Sequence, residues 1–148
     1  MDVTRELSTR FPNRHVSHVD LEGATGYLHG ILSALADERT KDRESQHDVR
    51  VFLERVSGAN GRQVAFGFPI ANVYNNLTNV VMTITPRGGD GGGKTLLVNA
   101  HFDSTLGSPG ASDCASCVGV AVEVARTLLR TGGRTNAVFL FNGGEVRY

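Results

Sequence analysis

Charge of a single sign is the first thing this sequence lacks. Fifteen basic residues meet fifteen acidic ones in 148, so bulk electrostatics argue for no nucleic-acid partner and no acidic membrane surface. No apolar segment approaches the ~20 residues needed to cross a bilayer. The first residues, Met1 to Glu6, lack the hydrophobic core of a signal peptide, and as written the chain reads as soluble. No tandem period is visible, which excludes a repeat architecture. Cysteine is scarce: Cys114 and Cys117 are the two there are, in a C-x-x-C spacing that suits either a redox pair or two small packing residues.

Glycine is abundant instead. Eighteen glycines exceed the usual ~7% usage and concentrate in turns, which fits a loop-rich α/β domain with one domain-sized core. Residues 1 to 19 are polar, broken by Phe11-Pro12-Asn13-Arg14, and read as an irregular lead-in. From Asp20, taken as the cap, Leu21, Ala24, Leu28, Ile31, Leu32 and Leu35 recur at helical spacing. The charged run Asp37 to Asp48 reads as a solvated connection. Val49, Val51 and Leu53 alternate with Arg50, Phe52 and Glu54, and Asn60-Gly61 predicts a tight hairpin turn before Val64-Ala65-Phe66. Asn79 to Thr85, closed by Pro86, predicts a strand. Asn76-Leu77-Thr78 is a glycosylation acceptor if the chain meets a secretory lumen.

The chemistry gathers after Thr95. Leu96 to Ala100 form a short apolar run that predicts a strand buried on both faces and ends in His101. Residues two apart in extended chain point the same way, so Asp103 can reach the His101 ring and fix its tautomer. Asp113 opens an amphipathic run with Ser112 as a possible cap. Ala137 to Phe141 predicts a second strand, which delivers Asn142, Gly143, Gly144 and Glu145 at its C-terminal end. Strand, helix and strand at this spacing form a crossover unit, and ligands gather outside the carboxyl ends of such strands.

His101-Phe102-Asp103-Ser104, then Gly110-Ala111-Ser112-Asp113, then Phe139-Leu140-Phe141-Asn142-Gly143-Gly144-Glu145 together resemble the di-zinc aminopeptidases of metallopeptidase family 28. The closest likeness is to the endoplasmic reticulum metallopeptidase branch, and Tyr74 to Val81 is similar to it as well. The resemblance implies a three-layer zinc exopeptidase-like α/β domain with a mixed β-sheet, of which residues 20–148 would be the N-terminal portion. It implies that His101 ligates one zinc, Asp103 orients it, Asp113 bridges two zincs, and Glu145 is the general base. Two divalent ions held close together need an anionic bridge, and a carboxylate beside the metal is the reasonable base. The implied substrate is a peptide with a free N-terminus. The implied location is the lumenal side of the endoplasmic reticulum, membrane-associated through segments this chain lacks. Composition, periodicity and spacing say nothing of oligomeric state.

The sequence also departs from the family. Where the family places a second, zinc-ligating glutamate after the base, Val146 stands here, and a further aspartate and histidine are expected past Tyr148. The expectation is therefore an inactive or nearly inactive isolated chain, with a catalytically dead remnant or binding module as the alternative. A third reading comes from Gly88 to Thr95, which match the phosphate-loop pattern G-x-x-x-x-G-K-T. That motif requires a helix to begin at Lys94, and the run after it reads as a strand.

Overall fold

A strand that alternates large apolar and smaller residues buries one face, and Asn136–Asn142 does so: Ala137, Phe139 and Phe141 are buried while the residues between them are half-buried. The computed structural model describes residues 2–41, 46–63, 69–88 and 93–145. In chain order these form α1 (Val3–Arg10), α2 (Val19–Lys41), β1 (His47–Gln63), β2 (Pro69–Pro86), β3 (Thr95–His101), a π-helical turn (Ala111–Ala115), α3 (Ser116–Thr131) and β4 (Asn136–Asn142). The sheet is mixed, in the order β1-β2-β4-β3. β4 runs antiparallel to β2 and parallel to β3, with His101 opposite Asn142.

One row across the sheet, Val51, Met82, Phe139 and Val98, faces the helices. Leu28 and Leu32 of α2 and Val118, Val122 and Ala125 of α3 close over it in a single apolar cluster. Truncating Phe139 or Phe141, neither of which is exposed, to alanine removes about 3–5 kcal/mol of stability. Phe52 and Leu97 lie in the alternate rows and are 47% and 60% exposed. The α/β class and mixed sheet match the sequence reading. The described residues make up two of the three expected layers, a helical one and the sheet.

Several local readings need correction. The lead-in contains α1, whose N-terminus is capped by Asp2 accepting from the Arg5 N–H at 3.1 Å and whose Val3 and Leu7 are buried. Asp20 is not the cap of α2. It sits in the first turn, where its own N–H reaches His18 Nδ1 at 3.1 Å and its carboxylate accepts from the Asn13 N–H at 2.9 Å. α2 continues to Lys41, into the run expected to be a loop. Asn60-Gly61 is no turn: Asn60 pairs with Asn72 and Gly61 with Ala71 inside the β1–β2 ladder, which runs on to Gln63 opposite Pro69. Val64-Ala65-Phe66 lie outside the described residues.

β3 is less buried than its apolar run predicts, with Leu96 49% exposed, because it is an edge of the described sheet. β4 lies between β2 and β3. Lys94 is followed by β3 and not by a helix, so the structure lacks the element a phosphate loop requires there; residues 89–92 of that stretch lie outside the described residues.

Candidate metal centre

β3 and β4 end side by side, and the chain beyond each is tied down by backbone bonds. The Phe102 N–H donates to the Asn142 carbonyl at 2.8 Å, and the Phe102 ring is fully buried. Past β4, the Gly143 N–H donates to Asn79 Oδ1 at 3.1 Å. A Cβ at Gly143 would run into the Thr78 carbonyl oxygen, so a residue without one is required where these segments touch. These contacts aim His101 and Glu145 into the same space.

Four side chains meet there. His101 Nδ1 lies 3.2 Å from Asp103 Oδ1, the pairing that a two-residue spacing in extended chain allows. On the other edge of the ring, His101 Nε2 lies 3.1 Å from Asp113 Oδ1 and 3.3 Å from Glu145 Oε2. Asp103 Oδ1 also accepts the Glu145 N–H at 3.1 Å, so one buried carboxylate orients the imidazole and seats the loop that carries Glu145. The Asp103 side chain is 1% exposed and that of His101 11%, whereas those of Asp113 and Glu145 are 73% and 63% exposed. The site is built on a dry floor and opens to solvent on its acidic side.

Asp113 reaches the site from an irregular turn and not from the start of a regular helix. Asp113 and Cys114 have non-helical backbone angles, the peptide bond between them is cis, and regular α-helix begins at Ser116. The expected Ser112 cap is absent: the N-cap position of α3 is Ala115, with no side-chain hydrogen bond. Gly110, before the turn, has φ +53°, and a Cβ there would lie 2.7 Å from Ser104 Cβ and 2.8 Å from both Arg14 Nη2 and the Asp113 carbonyl oxygen. That position therefore demands glycine on conformation and on space. Cys114 and Cys117 form a disulfide across the start of α3.

Arg14, which the sequence offers only as part of a breaker, holds the floor together. It is fully buried, and its guanidinium donates to the carbonyls of Phe102, Leu7, Phe11, Pro109 and Gly110 at 2.6–3.2 Å. Its backbone exchanges hydrogen bonds with Ser104. Burial lowers its pKa from the usual value, while the nearby charges of Asp103 and Asp20 act in the opposite direction; an arginine stays charged regardless. A positive group thus stands close to the buried Asp103. Asn79, the acceptor for Gly143, is a second contributor without a local sequence signal.

With the ring hydrogen on Nδ1 toward Asp103, Nε2 turns a lone pair toward two carboxylate oxygens. In that tautomer three acceptors converge, an arrangement electrostatically complementary to a cation. Nitrogen and oxygen donors of this kind suit zinc. Among the described residues, the atoms of His101, Asp113 and Cys114 that could ligate all lie within 4.8 Å of one another. Val146, the departure that bears on ligand count, lies outside the described residues.

Comparison with known proteins bears on the family and the fold. Residues 79–147 match the model of the family described as Peptidase family M28. Over 103 residues the chain is 40% identical to endoplasmic reticulum metallopeptidase 1 of Homo sapiens, a match covering 68% of this chain and 11% of that protein. The chain thus spans a small part of that relative's length. In fold, it is similar to a leucine aminopeptidase precursor from Bacteroides thetaiotaomicron, with a TM-score of 0.64, 17% identity, and coverage of 94% of this chain and 43% of that one. It is similar as well to a glutaminyl cyclase from the same organism, with a TM-score of 0.63, 16% identity and the same coverages.

Proposed function

We propose that this chain, which belongs to peptidase family M28 and resembles its endoplasmic reticulum metallopeptidase branch, carries part of a zinc-dependent exopeptidase site. His101 and Asp113 would hold the metal, with Asp113 able to serve a second ion, while Asp103 orients His101 and Glu145 is the general base. The observation that carries this reading is the convergence on His101 Nε2 of Asp113 at 3.1 Å and Glu145 at 3.3 Å, with Nδ1 already committed to Asp103.

When bound, zinc supplies a Lewis acid that polarises the scissile carbonyl and acidifies a water. The chain's own groups do the rest. Asp103, buried and fixed, keeps the imidazole in one tautomer and one orientation. Glu145 takes the proton of the attacking water on its exposed carboxylate and returns it to the leaving amine. Its backbone, tethered to Asp103, keeps that carboxylate beside the metal-facing edge of the ring. The open acidic side, formed by Asp113 and Glu145, is where a cationic peptide N-terminus is attracted. The fold alone does not choose the reaction, since a cyclase shares it; the match to a peptidase family supports peptide hydrolysis.

The relatives' name supports a place in the endoplasmic reticulum, and the exposed acceptor Asn76-Leu77-Thr78 is compatible with its lumen. No helix among the described residues is long and apolar enough to cross a membrane. Among the described residues, His101 and Asp113 are one short of the three protein groups a catalytic zinc takes. The oxidised 148-residue chain on its own therefore holds zinc weakly and hydrolyses little, in agreement with a remnant or binding role for the isolated chain.

Calorimetric titration of zinc into the purified chain and into His101→Ala, beside an assay of an aminoacyl reporter with a free amine, tests both parts. Weak binding lost in the variant and hydrolysis at the blank rate are expected. Binding unchanged by His101→Ala would overturn the site, and robust chelator-sensitive hydrolysis would overturn the shortfall.

A further inference from the structure

Beside the site lies a sulfur atom that the proposed function leaves without a role. Cys114 follows Asp113 directly, and its Sγ shares the 4.8 Å cluster with His101 and Asp113. That sulfur is bonded to Cys117, and a disulfide sulfur does not replace a thiolate as a metal ligand. Cys117 is exposed in the first turn of α3, whereas Cys114 is half-buried. The sulfur open to attack is therefore that of Cys117, and the sulfur released is that of Cys114.

We infer that the Cys114–Cys117 disulfide gates the metal affinity of this site: reduction by a dithiol frees Cys114 as a third ligand beside His101 and Asp113. The inference rests on those two residues facing a metal, as proposed above. One reductant sulfur, as thiolate, attacks Cys117 Sγ; the protein S–S bond breaks and Cys114 departs with the electron pair. The second reductant sulfur then closes on the first and releases Cys117. Two electrons and two protons pass to the cysteine pair, and the dithiol becomes a disulfide. Metal coordination displaces the Cys114 proton to solvent.

Reduction changes the ligand count. An imidazole, a carboxylate and a thiolate are three protein groups, the number catalytic zinc sites use, with a fourth position left for water or substrate. The atoms already lie within 4.8 Å of one another, so a short side-chain adjustment brings them together. The shortfall that leaves the oxidised chain a weak zinc binder is made good by a residue adjacent to the ligating aspartate.

Cobalt(II), a spectroscopic stand-in for zinc, separates the cases. It is titrated into the oxidised chain and into chain reduced with a phosphine and desalted under argon. The same titration is made with Cys114→Ser, with Cys117→Ser and with His101→Ala. The reduced chain is expected to bind at least about ten-fold more tightly than the oxidised chain, a difference of about 1.4 kcal/mol, and to show a sulfur-to-cobalt charge-transfer band. Cys117→Ser, whose Cys114 has no partner, shows the band without reductant, and Cys114→Ser shows neither band nor redox dependence. Equal affinities in the two redox states, or a band that survives Cys114→Ser, overturns the inference. If the redox states bind alike and His101→Ala abolishes binding in both, this inference falls and the metal site stands; if His101→Ala changes nothing, the site falls as well.

Discussion

Asp103 has two tasks, one on the imidazole and one on the Glu145 backbone, and its burial makes both rigid. Asn in its place keeps the shape while permitting the wrong tautomer of His101. Asp103→Asn is expected to weaken zinc binding by about 10–100-fold at nearly unchanged melting temperature. An affinity equal to that of the unmodified chain would mean that the carboxylate orients nothing. Arg14 makes the opposite kind of contribution, to stability. Lysine has three donors for the five carbonyls that the guanidinium satisfies, and each buried carbonyl left bare costs about 1–3 kcal/mol. Arg14→Lys is therefore expected to lose about 2 kcal/mol or more in urea unfolding, and a midpoint that does not move would refute that role. His101, Asp103 and Glu145 are picked out in the sequence by short motifs at the ends of apolar runs, and Asp113 by one that opens an amphipathic run. Arg14 is not, because its partners Phe102 and Gly110 are 88 and 96 residues away.

At the scale of elements, the periodic segments declare themselves and the short or paired ones do not. The apolar spacing of α2 and the Ala137 to Phe141 run read directly as helix and strand. α1 has eight residues and two buried apolar side chains, too little pattern to distinguish from a loop. Asn60-Gly61 carries the composition of a turn, and long-range pairing in a two-stranded ladder overrides it. Order across a sheet is a tertiary fact that local pattern does not carry: among the described residues β3 is an edge strand, although its apolar run reads as buried on both faces. An edge strand with exposed leucines invites intermolecular pairing. Leu97→Lys, at a position 60% exposed, is expected to reduce light scattering in concentrated or warmed samples and to change stability by no more than about 0.5 kcal/mol. Undiminished aggregation would move the liability elsewhere.

For the molecule as a whole, a parallel pair, β3 and β4, sets its carboxyl ends together, and a helix layer on one face leaves the loops at those ends open. The sequence reveals the class of this arrangement through its strand, helix and strand order. It does not reveal that the helices of the described residues share one side, because burial depends on which elements cover which face. His101 and Asp113 face a common cation, and anomalous scattering at the zinc edge from a crystal of the chain grown with zinc locates it. The predicted result is a peak about 2 Å from both His101 Nε2 and an Asp113 carboxylate oxygen. A map with no peak there at saturating zinc, or with its peaks elsewhere on the surface, would contradict the account.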